Sequence, residues 1–573
     1  MPKVIAFVGA GHTPLMDHPD FLIIGGGSAG AVLASRLSED SGTRVLVVEA
    51  GRDTPPGAIP ADIIDTFPSS SLNPSYFWPG LQAVRSTDTP ARPYVQARVM
   101  GGGSSVMGLW ALRGMPSDYD SWAAAGATGW SWSDVLPVFR RLHNDADRDQ
   151  TQTTAGPYPI CRLPRQEWPG LVLAVEHEAS RRGLRFIDDI NETSANGFFA
   201  MPLSQDAEGR ASSARCYLTR PVRQRSNLTI LAEATVTNIR FDGLRACGAT
   251  ITRGRETLEI SAREVILCAG AIHSPAMLLR SGIGPSGDLE RLGITPRVDR
   301  VGVGRNLQNH PYLQFGLTVP PRARLLPQLR CFAIAGMRLS SGGNDCPAGN
   351  LLLFLIGRVS PRAYGSDMAM LGAALYSPWS RGQVTLSNAQ AGTSPRIEFC
   401  MFEDPRDPPR ILKAAHFAES LLFSDRVAAA YNDAFLLPPV LSLHQFNRAG
   451  FSGGLMALAV KAVLNAPPPI TRSILGRRIR PGRWIANRHR RAPASDAELI
   501  AAASPMGHPV GTCAIGPASD PMAVVDTHCR VYGTENLRVV DASVMPRIPS
   551  ANTNLPTIMV AERVADLIRG ERG

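Results

Sequence analysis

A short apolar run followed by three spaced glycines is the feature that most constrains how this chain folds. Residues 20–24 suit a buried strand, and Gly25, Gly27 and Gly30 lead into AVLASRLSED, which has helical periodicity. The first glycine permits a tight turn, the second lets the backbone approach a pyrophosphate, and the third lets the helix pack on the strand. The pattern predicts a nucleotide-binding unit in which the helix N-terminus supplies N–H groups to phosphates.

The next apolar run, RVLVVEAG, strengthens this interpretation because it ends at Glu49, 19 residues past Gly30. A carboxylate at this place binds a ribose hydroxyl and disfavours a 2′-phosphate. The same letters also spell Gly-x-Ser-x-Gly at residues 26–30, the nucleophile elbow of α/β-hydrolases. That alternative ranks far lower, because the acid should precede the histidine along the chain, whereas His508 precedes Asp541.

Two further glycine-rich loops predict that the cofactor is larger than one mononucleotide. ARVMGGGSSVMG, residues 97–108, combines consecutive backbone amides with two hydroxyls and can form a nest for anionic oxygens. AGAIHSPAMLLRSGIGP, residues 269–285, follows the apolar strand REVILCAG and opens a helix. Three such loops indicate one large dinucleotide.

Composition excludes several other classes. A chain of 573 residues is expected to form at least two domains, and 44% hydrophobic with 19% charged residues is typical of a globular protein. The net charge of +10 comes from arginines spread along the chain, and no nucleic-acid-binding motif accompanies it. The nine cysteines include no Cys-x-x-Cys pair, which predicts a reducing compartment and no disulfide framework. A metal site is not expected either, because the possible ligands His508, Cys513, His528 and Cys529 lack the usual spacing.

Six separated segments resemble the glucose-methanol-choline (GMC) family of FAD-dependent oxidoreductases, in the family's order. They are the Gly25 loop with Glu49, the Gly102 loop, GAIHSPAMLLRSGIG, VGVGRNLQNH, HPVGTCAIG and VVDASVMPRIPSANTNLPTIMVAE. Within the family, the chain looks most like bacterial alcohol oxidases that act on aromatic or furanic primary alcohols. The resemblance implies an α/β chain, α+β overall, with a Rossmann-type FAD-binding domain and an inserted substrate domain built on an antiparallel sheet flanked by helices.

The resemblance also implies the domain boundaries. We expect a discontinuous FAD-binding domain of residues 18–157, 211–306 and 505–573, and a substrate-binding domain of residues 158–210 and 307–504. The short strands in GQVTLSN and SPRIEF are expected in an antiparallel sheet that covers the flavin. Residues 1–17 are expected to be a tail, with Met16 the more natural first residue.

By resemblance, His508 is the catalytic base and Asn552 hydrogen-bonds the alcohol oxygen. A base is needed because the hydroxyl proton leaves as a hydride moves to flavin N5, and histidine titrates near neutral pH. His310 is expected to have a structural role, although it could line the substrate side, and His273 is expected on a helix surface. The expected cofactor-binding residues are Gly25, Gly27, Ser28, Ala29, Gly30, Glu49, Ala50, Gly102, Gly103, Ser104, Ser105, Met107, Val236, Ala269, Gly270, Asp541, Ala542, Asn552, Asn554 and Pro556.

One position departs from the family pattern. Met107 stands where the family usually has an asparagine, which puts the flavin contacts of that asparagine in doubt. Neither Val106 nor Met107 is the histidine to which some members attach FAD covalently. We therefore expect non-covalent FAD.

Residues 450–494 are unusual, because they join an apolar run to eight arginines. A cap over the substrate entrance is the favoured interpretation, and a monotopic contact with an anionic membrane is the alternative.

The overall expectation is a cytoplasmic FAD-dependent oxidase of an apolar or aromatic primary alcohol, with no nucleic-acid partner, acting as a monomer or a homodimer and passing electrons to O2. Aromatic residues that could line its substrate site are Tyr76, Trp78, Trp110, Tyr376 and Trp379. A membrane-associated alcohol or choline-type dehydrogenase that passes electrons to a quinone, with peripheral inner-membrane association, stays open as an alternative. So does a non-oxidative relative, either a hydroxynitrile lyase or a fatty-acid photodecarboxylase.

Overall fold

A central sheet of five short parallel strands organises the part of the molecule that contains the glycine motifs. The computed structural model describes residues 18–148, 155–343, 346–438, 447, 450–474, 483–487 and 489–572. The expected tail, residues 1–17, lies outside the described residues. In spatial order the five strands are Leu228–Leu231, Val45–Val48, Phe21–Ile24, Glu264–Leu267 and Leu537–Val539. Helices cover the sheet, which explains why its strands are apolar runs without alternation.

The first helix, Ser28–Leu37, packs against the last one, Asn554–Arg572. Glu562 on the last helix is buried and accepts hydrogen bonds from the Arg36 guanidinium at 2.9–3.1 Å and from the Tyr217 hydroxyl at 2.8 Å. A buried carboxylate needs such partners to offset its lost hydration. The two ends of the described chain are thereby joined beside the nucleotide-binding loop.

A second, larger sheet has nine strands and is mostly antiparallel. Its main path runs Arg483–Asn487, Asp433–Leu436, Pro311–Thr318, Met368–Leu375, Leu351–Ile356, Ala333–Leu339, Gly197–Ala200 and Phe186–Ile187, and Ser504–Pro505 pairs with the start of Pro311–Thr318. Helix Asp407–Leu422 packs on one face. A three-stranded antiparallel sheet of Thr235–Asp242, Arg245–Arg253 and Glu256–Ser261 lies beside the parallel sheet. Other helices of seven or more residues are Pro116–Ala124, Trp132–Leu142, Gly170–Arg181, Gly270–Arg280, Gly450–Leu464, Pro468–Ile474 and Asp496–Ala502.

The strands within GQVTLSN and SPRIEF lie outside the large sheet. Gln383–Thr385 and Arg396–Glu398 pair antiparallel, as expected, but they belong to a separate four-stranded sheet with Gln82–Val84 and Arg92–Pro93. Their alternation predicts a strand, yet it contains no information about which sheet receives that strand. We propose that the parallel and nine-stranded sheets are the centres of the two domains, with the boundaries that the sequence predicts.

The described part of residues 450–494 packs only one face of its apolar helix. In Gly450–Leu464 the buried residues Ala457, Val460 and Leu464 join the core of the nine-stranded sheet. Phe451, Leu455 and Leu458 are 90%, 62% and 57% exposed. No helix among the described residues is long and apolar enough to cross a bilayer.

Gly30 tests the close packing of the first loop. A Cβ added there would lie 1.9 Å from the carbonyl oxygen of Gly25, whose own φ is +104°. We predict that Gly30→Ala lowers the free energy of unfolding by about 2 kcal/mol or more, as expected for overpacking against backbone. The measurement is chemical unfolding followed by circular dichroism. Gly287→Ala is the control, because Gly287 lies in the helix Ser286–Arg291 and its added Cβ meets no atom within 4 Å; an equal stability for Gly30→Ala and the parent would contradict the prediction.

Candidate active site

A cavity of about 1270 Å³ lies at the carboxyl ends of the parallel strands. This is the edge at which open α/β sheets bind their ligands. Its lining includes residues from all three glycine-rich loops, from the His508 segment and from the start of the last helix. Its volume exceeds the upper end of the range of about 300–1,000 Å³ that is common for small-molecule sites, which suits a large dinucleotide together with a substrate.

The first two glycine loops touch each other through their backbones. A Cβ at Gly102, where φ is +55°, would lie 2.9 Å from the Cα of Gly27, and the Gly101 N–H donates to the Gly26 carbonyl at 2.8 Å. A side chain at this contact would separate the loops. The double glycine pattern therefore brings two rows of backbone amides to one side of the cavity.

Glu49 is held between two backbone amides at the end of its strand. Its oxygens accept hydrogen bonds from the Gly26 N–H at 2.8 Å and from the Gly51 N–H at 2.7 Å. Burial raises the pKa of this carboxyl, while the two amides act in the opposite direction. Glu49 lines the cavity next to the first loop, where its role on a ribose was predicted.

Asp541 joins the third glycine loop to the last strand of the sheet. Its carboxylate accepts from the Gly270 N–H at 2.8 Å, from the Ser274 hydroxyl at 2.6 Å and from the Ser543 N–H at 2.8 Å. Burial raises the pKa of Asp541, and these bonds oppose the shift. Because its oxygens already serve the loops, Asp541 is suited to fixing backbone groups that face a ligand.

Ser28 and Asn554 connect the first loop to the last helix. The Ser28 hydroxyl donates to Asn554 Oδ1 at 2.6 Å, and Asn554 Nδ2 donates to the Tyr158 hydroxyl at 2.8 Å. The cavity wall thus contains two segments that are 526 residues apart in sequence.

His508 lies on the cavity wall within hydrogen-bond distance of two side chains. Its Nε2 is 3.1 Å from Asn552 Nδ2, and its Nδ1 is 2.9 Å from His310 Nδ1. Burial lowers the pKa of His508 to about 4, so the ring is neutral near pH 7. A neutral imidazole next to an amide can accept a proton from a hydroxyl group.

The backbone around His508 is fixed by the segment that precedes strand Pro311–Thr318. Gln308 and Val510 exchange backbone hydrogen bonds at 3.0 and 3.1 Å, and Asn309 Nδ2 donates to the Met506 carbonyl at 2.6 Å. Gly511 has a φ of +93°, and a Cβ there would lie 2.5 Å from the Asn306 carbonyl. The Gly-Thr-Cys turn after the histidine therefore needs glycine for the close approach of these two segments.

The part of the cavity beyond His508 and Asn552 is mainly apolar. Trp110 and Phe354 meet edge to face with 4.8 Å between their ring centroids. The same lining includes Met107, Tyr312, Gln314, Phe332, Ile356, Met370, Leu437 and Met506. Its two carboxylates among the described residues, Glu49 and Asp541, are both bonded to backbone amides.

Most of the predicted site residues meet at this cavity. Those that line it are Gly25, Gly27, Ser28, Ala29, Glu49, Ala50, Gly102, Gly103, Met107, Val236, Ala269, Gly270, His508, Asp541, Ala542, Asn552 and Asn554. Four others lie outside the lining: Gly30 packs against Gly25, the Ser104 and Ser105 hydroxyls donate to the Gly101 and Met100 carbonyls, and Pro556 is buried in the last helix. That these residues contact the cofactor stays a prediction. That FAD is bound non-covalently also stays a prediction.

Two residues at or next to the cavity wall, His273 and Tyr376, differ from the expectation. His273 was expected on a helix surface, but it lines the cavity and its ring lies 4.5 Å from that of Trp78, which also receives the Arg98 guanidinium at 5.1 Å. The aromatic neighbours of the third loop come from distant sequence, so helix position alone could not reveal this. Tyr376 was considered only as a possible aromatic wall, whereas its hydroxyl donates to Asn552 Oδ1 at 2.9 Å. No group of three or more His, Cys, Asp or Glu side chains within the described residues could hold a metal ion.

The chain is similar in sequence and fold to known oxidoreductases. Family models described as "GMC oxidoreductase" match residues 19–312 and 378–561. The chain is 38% identical to a 5-(hydroxymethyl)furfural oxidase of Methylovorus sp. (strain MP688), over 96% of this chain and 98% of the relative. It is 30% identical to an oxygen-dependent choline dehydrogenase of Staphylococcus saprophyticus, over 96% and 95% of the two chains. The crystal structure of pyridoxine 4-oxidase from "Mesorbium loti" superposes with a TM-score of 0.77 at 26% identity, over 96% of this chain and 99% of that chain.

The lowered pKa of His508 predicts an effect of acid on stability. Between the folded pKa of about 4 and the value of 6.5 for an ordinary histidine, the unfolded chain binds a proton at this residue that the folded chain does not. His508 therefore lowers the free energy of unfolding as pH falls through that range, by about 1–2 kcal/mol at about pH 5. Urea unfolding at about pH 7.5 and pH 5 should show that His508→Gln loses less stability than the parent by this amount. His177→Gln, on an exposed position of helix Gly170–Arg181, controls for the loss of a histidine, and an equal acid sensitivity of His508→Gln and the parent would refute the prediction.

Proposed function

The chain belongs to the GMC oxidoreductase family, and on that premise we propose that it oxidises a primary alcohol to the aldehyde with His508 as the base. It is an FAD-dependent oxidoreductase. The observation that carries the proposed mechanism is the approach of His508 Nε2 and Asn552 Nδ2 to 3.1 Å on the wall of the cavity that the glycine loops also line.

The residues present fit FAD. The Gly25 loop and the Gly102 loop would face the pyrophosphate with backbone amides, and Glu49 would accept from the adenosine ribose. We propose that Val236 contacts adenine through its backbone, and that Asp541, Ala542, Asn554 and the third loop surround the remainder. When bound, FAD supplies the oxidising group, which accepts a hydride from the alcohol carbon.

The His508 and Asn552 pair would hold the reacting hydroxyl group. An alcohol oxygen at this pair would donate its proton to His508 Nε2 and accept a hydrogen bond from Asn552 Nδ2. Neutral His508 is ready to take that proton, and the amide N–H would stabilise negative charge on the oxygen as the proton leaves. The two side chains thus share the tasks of base and alkoxide partner.

The substrate is proposed to be an aromatic, furanic or otherwise apolar primary alcohol. Support comes from the apolar lining around Trp110 and Phe354, and from the activities named for the furfural oxidase and the pyridoxine oxidase. The engaged state of Glu49 and Asp541 disfavours recognition of a quaternary ammonium group. Electrons are proposed to pass to O2, in keeping with the oxidase relatives.

Replacement of His508 tests the mechanism. We predict that His508→Ala slows anaerobic bleaching of the flavin by benzyl alcohol or 5-hydroxymethylfurfural about 10²- to 10⁴-fold, the usual contribution of a general base. Stopped-flow absorbance gives the rate, and reoxidation on admission of air identifies the acceptor. His416→Ala is the matched control, because that ring lies at the surface beside Asp496. If neither alcohol reduces the flavin of the parent enzyme, the result would favour the non-oxidative relatives instead. If the reduced flavin reoxidises slowly in air, the result would favour a quinone as the electron acceptor.

Residues 450–494 are proposed to have two functions on two faces. The buried face, with Ala457, Val460 and Leu464, attaches the segment to the core of the nine-stranded sheet, and a cap on the substrate domain is the proposed function of this face. The exposed apolar face lies in a segment with eight arginines, one lysine and no acidic residue, a combination that suits an anionic lipid surface. The arginines at 477, 478, 480 and 488 lie outside the described residues.

Vesicle binding tests the lipid contact. We predict co-sedimentation with vesicles that contain phosphatidylglycerol and not with pure phosphatidylcholine, because apolar insertion and charge attraction act together. The double variant Leu455→Glu, Leu458→Glu should lose this binding, whereas Leu326→Glu, at a position 50% exposed elsewhere, should keep it. Absence of binding by the parent would leave the segment with the cap function only. A monomeric or homodimeric state and a cytoplasmic location stay predictions.

A further inference from the structure

Two side chains on the wall of the cavity, His508 and Asn552, form a closed ring of contacts with two buried side chains outside its lining, Tyr376 and His310. The Tyr376 hydroxyl donates to Asn552 Oδ1 at 2.9 Å, Asn552 Nδ2 lies 3.1 Å from His508 Nε2, and His508 Nδ1 lies 2.9 Å from His310 Nδ1. The His310 ring stacks on the Tyr376 ring with 4.2 Å between centroids and 10° between planes, which closes the ring.

The nine-stranded sheet brings Tyr376 and His310 together. Strands Pro311–Thr318 and Met368–Leu375 are antiparallel neighbours with Tyr312 opposite Ala374. If this register continues for two more residues on each strand, His310 lies opposite Tyr376. The stack is therefore a cross-strand pair at the end of the ladder, and it holds the tyrosine hydroxyl in place at Asn552.

The chemistry of donors and acceptors determines where the protons lie. A carbonyl oxygen only accepts, so the Tyr376 hydroxyl must donate to Asn552 Oδ1. Burial raises the pKa of this hydroxyl, which therefore keeps its proton. With its oxygen directed at Tyr376, the amide presents its N–H to His508 Nε2, and Nε2 must accept.

The same argument extends to the histidine pair. When His508 Nε2 accepts, the ring carries its proton on Nδ1, which donates to His310 Nδ1. His310 then carries its own proton on Nε2. The carbonyl groups of Pro549 and Tyr376 favour a proton on His310, although Nε2 makes no hydrogen bond of normal geometry among the described residues. The reverse arrangement would leave the Tyr376 hydroxyl proton without this acceptor.

We propose that Tyr376 is a positioning residue that fixes the amide of Asn552 and thereby keeps Nε2 of His508 free of a proton. Its relevance to catalysis rests on the proposed function, whereas the proton positions do not. If the hydroxyl is removed, the amide can rotate and present its oxygen to His508. That orientation favours a proton on Nε2, and the ring can then no longer accept the proton of the substrate from that side.

Nitrogen NMR of the histidine rings tests the proposal without any turnover. In oxidised holoenzyme labelled with ¹⁵N-histidine, His508 should show a protonated Nδ1 and an unprotonated Nε2, with the signals assigned by their loss in His508→Gln. In Tyr376→Phe, which retains the ring for the stack on His310, a second population with protonated Nε2 should appear. Tyr431→Phe is the control, because that buried hydroxyl donates to the Leu422 carbonyl in the substrate-domain core.

Flavin reduction provides the second readout. The limiting rate of anaerobic reduction should fall about five- to tenfold in Tyr376→Phe, the population change that loss of one ordinary hydrogen bond allows, with little change in the alcohol concentration for half-saturation. A parent enzyme with a proton on Nε2, or a Tyr376→Phe spectrum identical to the parent, would overturn the proposal. If the proton positions are as stated and no alcohol reduces the flavin, the proposed function fails and the assignment of Tyr376 as the group that orients Asn552 stands.

Discussion

The direct backbone contact between Gly27 and Gly102 is the constraint on which the site depends. A single Cβ at Gly102 would come within 2.9 Å of the Gly27 Cα, so only glycine lets the two loops meet. This contact puts one row of backbone amides at the end of the first strand and a second row opposite it. Glu49 reinforces the contact from one side by accepting from Gly26, and Gly101 reinforces it by donating to the same residue. Both loops line the cavity, and consecutive backbone amides of this kind suit anionic oxygens.

The chemical end of the cavity is built from segments that are distant in sequence. His508 is held by its pairing with residues 308–310, and Asn552 lies just before the last helix. Both segments reach the cavity because the last strand, Leu537–Val539, joins the edge of the parallel sheet and Asp541 ties it to the third glycine loop. The wall formed by the glycine loops and the wall that contains His508 and Asn552 therefore depend on one another. His508 is enclosed by protein in this position, and burial lowers its pKa so that the ring is neutral near pH 7.

Local patterns predicted more of this molecule than long-range ones. The strand, loop and helix around Gly25 follow from residues within thirty positions of each other, and family resemblance supplied His508 and Asn552. The ring of Tyr376 and His310 could not be predicted, because it depends on the register of two strands that lie about fifty residues apart. The sheet that receives Gln383–Thr385 could not be predicted for the same reason, since alternation shows that a strand exists and does not show its neighbour. The position of His273 on the cavity wall could not be predicted without that of Trp78, which lies on another loop.

The attachment of the last strand and helix to the first unit also has a consequence for biosynthesis. The strand Glu264–Leu267 leaves the ribosome some 270 residues before its neighbour Leu537–Val539, and helix Ser28–Leu37 emerges long before Asn554–Arg572 can cover it. At roughly 5–20 residues per second, the parallel sheet carries an open, apolar edge for tens of seconds. Such an edge is a template for pairing with other chains. Nascent chains of this enzyme are therefore expected to need a chaperone until the carboxyl-terminal segment is released, and truncation near the end should be far more damaging than its length suggests.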